Sequence, residues 1–172
     1  MNALVSHALH REWLALATCI GQHAVARGAT LAGAESCTGG LITATLTAVS
    51  GSSAWFDCAF VTYSNEAKQT LIGVSPDTLA RHGAVSEPTA CEMAQGARAV
   101  SRATLAYAVT GIAGPGGGTA DKPVGTVCFA FADKRGVQSL THRFAGDRSA
   151  VREQSVNTVL AELLRRLQAP CD

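Results

Sequence analysis

Apolar residues recur at helical spacing from the start of the chain. Leu9, Trp13, Leu16, Ala17, Ile20 and Ala24 fall on one stripe and predict an amphipathic helix over residues 6–27. Residues 29–34 then read as a short strand, and residues 41–49 as a helix that stops at Gly51. The run DCAFVTY over 57–63 is strand-like and ends at Ser64-Asn65, both good N-cap residues. A short helix follows to Leu71, and another starts after Ser75-Pro76, where proline suits the first helical position. Glu87-Pro88 opens a longer helix reaching about residue 102, and residues 104–110 form a strand. The nearly all-apolar VGTVCFAFA over 124–132 predicts a central strand covered on both faces. Residues 137–144 instead alternate, with Leu140, His142 and Phe144 on one side, which suits a place near the sheet edge. Asp147 caps a last helix whose Val156, Val159, Leu160, Leu163, Leu164 and Leu167 form the buried stripe. Interleaved strands and helices predict one layered α/β/α domain over residues 1–172, with a mixed, mostly parallel central sheet.

Composition narrows what such a domain does. An apolar fraction of 47% with 16% charged residues describes a chain that buries a core without disulfides or metals. A net charge of +1 supplies no broad field for nucleic acid or for an anionic membrane, so neither is expected as a partner. Apolar runs break well before the roughly 20 residues of a membrane span, and residues 1–9 lack the basic start and apolar core of a secretory signal. Cysteines at 19, 37, 58, 91, 128 and 171 show no metal-binding spacing, and Cys58 and Cys128 sit in strand-like runs as buried thiols do. A reduced, cytoplasmic protein with no metal centre is the reading. Eleven of the fourteen basic residues are Arg, so Lys68, Lys122 and Lys134 stand out. Lysine, unlike arginine, gives up its proton when its surroundings favour the neutral form.

Three strand-to-loop turns carry the candidate chemistry, and in open α/β sheets such turns gather at the carboxyl ends of strands. The first is Glu35-Ser36-Cys37-Thr38-Gly39-Gly40. A serine there either caps the following helix, the commoner use of an isolated Ser-x-x-Gly, or attacks a carbonyl whose oxyanion nearby amides hold. Cys37 is a rival nucleophile, although no histidine lies in any glycine-rich segment to activate it. The second turn, Tyr63 to Lys68, puts a lysine in the first turn of a helix, where the dipole and partial burial both disfavour an ammonium. That placement suits a general base, and Tyr63 suits a proton relay or an oxyanion donor. The third is the glycine-dense run from Thr110 and Gly111 through Gly114 and Gly116 to Gly118, which matches no nucleotide-loop consensus but offers backbone donors. Arg148 and Arg152 sit at a helix start, opposite to the dipole's preference; anion binding would explain this, although solvated surface arginines are the commoner case.

The segments AESCTGGLITATLT (34–47), GSSAWFDCAFVTYSNEAKQTLIGV (51–74), GAVSEPTACEMAQGA (83–97), AVTGIAGPGGGTADKPVGTVCFA (108–130) and FAGDRSAVREQSV (144–156) together resemble the CinA C-terminal domain family, the nicotinamide-nucleotide amidases. The resemblance spans residues 31–164 and lacks the larger N-terminal domain of two-domain members. It implies hydrolysis of the carboxamide of nicotinamide mononucleotide to nicotinate mononucleotide and ammonia, without a cofactor, by a Ser/Lys mechanism. The family's serine, tyrosine and lysine fall on Ser36, Tyr63 and Lys68. The substrate-contacting set is then Glu35, Cys37, Thr38, Gly39, Thr110, Gly111, Gly114, Gly116 and Arg148. Amides at residues 37–39, together with the Thr110-Gly111 turn, would hold the oxyanion, and the 111–118 loop or Arg148 the phosphate. The expected partner is a small pyridine mononucleotide, and the family suggests a homo-oligomer.

Overall fold

The computed structural model describes residues 3–170, with side chains from residue 10 onward. Cys171 and the side chains of His7 and Leu9 lie outside the described residues. In chain order the elements are α1 (Ala3–Ala26), β1 (Leu31–Glu35), α2 (Leu41–Thr47), a 3₁₀ turn (Ser52–Ala54), β2 (Phe56–Val61), α3 (Asn65–Ile72), α4 (Pro76–His82) and α5 (Glu87–Val100). The strands β3 (Leu105–Gly111), β4 (Thr126–Asp133) and β5 (Gly136–Arg143) follow, and α6 (Arg148–Gln168) closes the chain. Helix starts behave as the sequence predicts: Ser64, Ser75 and Asp147 each accept a bond from an amide two or three residues on. Each such cap contributes about 1 kcal/mol.

The five strands form one sheet in the order β2-β1-β3-β4-β5. β1 pairs in parallel with both β2 and β3, and β4 is antiparallel to β3 and β5. Four strands therefore point one way and only β4 is reversed, giving the mixed sheet expected. β4 is covered on both faces and β5 is an edge, as their contrasting patterns predict. α1, α2 and α6 cover one face, and α3, α4 and α5 the other.

The two faces differ in side-chain size. Leu31, Leu105, Tyr107, Val109, Val127, Phe129 and Phe131 point to the α1/α2/α6 side, whereas Ala32, Ala34, Ala106, Ala108, Ala130 and Ala132 point to α5. Alternation survives in these fully buried strands as large against small instead of apolar against polar. The alanine face lets α5 lie close, and at Gly96 an added Cβ would stand 1.8 Å from the carbonyl oxygen of Ile72, the last residue of α3. Among the described residues, no helix is long and apolar enough to cross a membrane.

Because the chain leaves β1 for β2 on one side and later returns to β3 on the other, the sheet order reverses at β1. The carboxyl ends of β2, β1 and β3 thus open side by side, at the position where α/β sheets gather ligands.

Candidate active site

β1 ends at Glu35, and α2 begins only at Leu41. Ser36 is therefore not the helix cap. That work falls to Glu35, whose carboxylate is fully buried and reaches across the turn. One oxygen accepts from Thr38 Oγ1 at 2.6 Å, the Gly40 amide at 2.9 Å and the Ile42 amide at 3.3 Å. The other accepts from the Thr43 amide at 2.7 Å, Thr43 Oγ1 at 2.6 Å and Tyr107 Oη at 3.2 Å. Gly39 and Gly40, at φ of +60° and +91°, give the turn the left-handed path that aims these amides inward. Gly33 makes room for the phenol, since a Cβ there would lie 2.3 Å from Tyr107 Cζ. Glu35 was expected among the substrate-contacting residues. With its oxygens enclosed by protein donors, it shapes the turn instead.

Freed from capping, Ser36 meets Lys68. Lys68 Nζ lies 3.1 Å from Ser36 Oγ and donates to the Thr62 carbonyl at 2.7 Å. The lysine is only 1% exposed, and loss of hydration pushes its pKa below the ordinary lysine value. The sequence reading had the right direction, from the helix dipole and partial burial; burial is the leading cause. Thr62 itself donates its amide to the Glu35 carbonyl, so the end of β1 and the anchor of Lys68 are tied together. Its buried hydroxyl has no hydrogen-bond partner.

Cys37 points into the apolar layer with α1, α2 and α6, and burial pushes its thiol up to about 12. A thiol so far from ionising at neutral pH is a poor nucleophile. Around the turn, the Gly39 amide is taken by the Ser36 carbonyl and the Gly40 amide by Glu35. Among the described residues no backbone carbonyl accepts from the amides of Cys37 or Thr38. Arg152 donates through Nε at 3.3 Å and Nη2 at 2.8 Å to the Thr38 carbonyl, bracing this turn from α6.

The third turn contributes differently from what its glycines suggest. Thr110 is buried and donates its hydroxyl to the Ala84 carbonyl at 2.8 Å, so it faces α4–α5 and not an open site. Gly111 is required by packing, because a Cβ would approach the Thr126 carbonyl to 2.9 Å. Gly114 supplies its carbonyl to Arg148 Nη1 at 3.1 Å, while Gly116 stands in open space. Arg148 also donates through Nη2 to the Tyr63 hydroxyl at 2.9 Å. Tyr63 is 61% exposed, and its hydroxyl is bonded to Arg148 and not to Ser36 or Lys68.

The structure thus joins Ser36 directly to Lys68, and Tyr63 to Arg148 and Gly114. It assigns Glu35 and Thr110 to the scaffold. Sequence reasoning missed Thr43, Thr62 and Tyr107. Nothing in their residue types marks them, since Thr62 acts through a main-chain carbonyl, and Thr43 and Tyr107 act by bonding Glu35 and each other.

A family model described as CinA C-terminal domain matches residues 14–167, extending the resemblance to most of α1. The chain is 54% identical to the nicotinamide-nucleotide amidohydrolase PncC of Escherichia coli K12, over 88% of this chain and 93% of that protein. It is 56% identical to a CinA-like protein of Geobacter sulfurreducens, over 82% of this chain but 34% of the longer relative. Among solved structures, the competence/damage inducible protein CihA from Agrobacterium tumefaciens superposes with a TM-score of 0.85 at 47% identity, covering 91% of this chain and 96% of that one. A CinA superfamily protein from Klebsiella pneumoniae gives 0.87 at 40% identity, covering 90% and 97%.

Proposed function

This chain belongs to the CinA C-terminal domain family, and from that premise we propose that it hydrolyses the carboxamide of nicotinamide mononucleotide to nicotinate mononucleotide and ammonia, with Ser36 as nucleophile and Lys68 as base. The substrate reading is supported by the E. coli nicotinamide-nucleotide amidohydrolase, 54% identical over 88% of the chain. The observation that carries the mechanism is the 3.1 Å contact between Ser36 Oγ and a buried Lys68 Nζ whose ammonium is disfavoured. A neutral amine within hydrogen-bond reach is what a serine needs to become a nucleophile.

In this route Lys68 accepts the Ser36 proton as Oγ forms its bond to the carboxamide carbon. The amides of Cys37 and Thr38 receive the oxyanion, in a turn braced by Glu35 and Arg152. As the C–N bond breaks, Lys68 returns the proton to the departing ammonia. A water then gives its proton to Lys68 and its oxygen to the acyl carbon, and Ser36 leaves with the proton restored. No step uses a metal or cofactor. Arg148 is the group offered to the substrate phosphate, since Arg152 is committed to Thr38. A cytoplasmic setting fits the five described cysteines, all free. The partner required is the mononucleotide, in a site to which further copies of a homo-oligomer would be additions.

Ammonia release from the mononucleotide tests this reading. Ser36→Ala and Lys68→Ala should each lose activity while staying folded, and Cys37→Ala should keep it. Full activity in Ser36→Ala would end the covalent route, and loss only in Cys37→Ala would move the nucleophile to the thiol.

A further inference from the structure

One side chain ties two of the candidate turns together. The guanidinium of Arg148, at the start of α6, donates to the Tyr63 hydroxyl at 2.9 Å and to the Gly114 carbonyl at 3.1 Å. It therefore links the turns after β2 and β3. Among the hydrogen bonds of the described residues, the one from Arg148 is what holds the phenol, which otherwise stands in solvent. Arg148 is itself exposed, so an incoming anion meets it without rearrangement of the core. Its charge is also felt inside the site, as one of the influences that favour the Cys37 thiolate.

Both partners of Arg148 are neutral. A phosphate accepts from a guanidinium through charge-assisted, frequently bidentate bonds about twice as strong as neutral ones. A phosphate taken in the fork between Nη1 and Nη2 competes for the N–H groups that now hold Tyr63 and Gly114. Arg152 already gives two donors to the Thr38 carbonyl and braces that turn. Asp147 likewise caps the N-terminus of α6 through the Ala150 amide. Tyr63 directly follows Thr62, whose main-chain oxygen anchors Lys68. A change of χ1 can thus move the phenol without moving the base.

We propose that Arg148 is a specificity-determining latch: with no anion bound it holds the Tyr63 hydroxyl at the rim, and binding of the substrate's phosphate draws the guanidinium away and releases Tyr63 towards the reacting carboxamide. This inference rests on the amidase reading and deepens it. Phosphate recognition then appears in kcat as well as in KM, because binding energy from a remote part of the substrate completes the catalytic arrangement. A nucleoside lacking the phosphate is bound with Tyr63 still latched. Inorganic phosphate, supplied separately, restores the missing signal.

The chain has two tyrosines, Tyr63 and the fully buried Tyr107, which makes fluorine spectroscopy of the 3-fluorotyrosine-labelled full chain direct. Inorganic phosphate should shift the Tyr63 resonance saturably and leave that of Tyr107 in place. Loss of one resonance in Tyr63→Phe assigns the pair, and in Arg148→Ala the Tyr63 signal should no longer respond. In parallel, inorganic phosphate should raise kcat for ammonia release from nicotinamide riboside by about a hundredfold or more, the range of one acid–base group. Arg148→Ala and Tyr63→Phe should show no such gain. A Tyr63 resonance indifferent to phosphate, or phosphate that leaves riboside kcat unchanged while the mononucleotide is hydrolysed, overturns the latch and spares the amidase reading. Failure of the wild-type chain to hydrolyse the mononucleotide overturns the amidase reading, and the fluorine spectra then decide the latch alone.

Discussion

Replacing Glu35 by glutamine changes almost no volume and isolates the contribution of the buried carboxylate. All six groups around it donate, three of them main-chain amides that cannot reverse their role. An amide side chain must turn its NH2 towards one of the two sets. Placed against the Thr38 hydroxyl, it also confronts the amides of Gly40 and Ile42. Placed against Thr43 and Tyr107, it confronts the single amide of Thr43, while the two hydroxyls can rotate to accept. The second arrangement is the cheaper. It still leaves one buried N–H unsatisfied, about 1–3 kcal/mol, and exchanges charge-assisted bonds for neutral ones at about 1 kcal/mol or more in total. We expect Glu35→Gln to lose about 2–4 kcal/mol, which in a domain of this size lowers Tm by about 10 °C. Urea titration with an unchanged m value would assign the loss to the folded state. A loss below about 1 kcal/mol would refute the reasoning, because it would mean that the cage reorganises at little cost. Activity should fall further than stability requires. The amides of Cys37 and Thr38 are placed by the same cage, and a misplacement of about 1 Å costs roughly a hundredfold.

Two further outcomes follow from Lys68 and from the helix that carries it. Because burial lowers the Lys68 pKa, kcat/KM should rise with pH through a point below the ordinary lysine value and then level off, and the rising limb should vanish in Lys68→Ala. The unfolded chain holds the extra proton between the lowered and the ordinary pKa. In that window the stability of the wild type relative to Lys68→Met should therefore increase with pH, and a difference independent of pH would contradict the burial of an ionisable amine. Gly96→Ala should destabilise by about 1–3 kcal/mol despite the better helix propensity of alanine, since its Cβ meets the Ile72 carbonyl and not a movable side chain. Displacing Ile72 moves α3 and Lys68 with it, so ammonia release should drop as well; a stabilised, fully active variant would show that α3 and α5 have room to part.

The order of elements was legible because periodicity, caps and glycine stops agreed along the chain, from the α6 stripe to Ser75-Pro76. Boundaries slipped where tertiary contacts overrule local preference. The strand after α1 runs to Glu35 instead of stopping at Ala34, because a strand end can bury a carboxylate only when a partner layer supplies the donors. The second helix stops at Thr47, not at Val49. Ser36 illustrates the main difficulty in the site. Local rules favour it as a cap, and only the reach of Glu35 across five residues to the Gly40 amide releases it. The pairing of Ser36 with Lys68 spans 32 positions of sequence, and no spacing rule reports it. Thr110 misled in the opposite sense: next to glycines it reads as a ligand contact, but its hydroxyl closes a loop from inside.

The glycine-rich run after β3 and the Glu35 cage differ in more than position. Residues 115–121 are exposed, and Gly116 has nothing within 4 Å of where a side chain would begin. The cage around Glu35 has no such vacancy. Sequence change is therefore unevenly permitted: the loop and its neighbours can be rewritten, while the cage that shapes the turn at Ser36 tolerates almost none. Divergence among relatives in what they recognise should collect at that rim, and a library intended to retarget the enzyme should be confined to it.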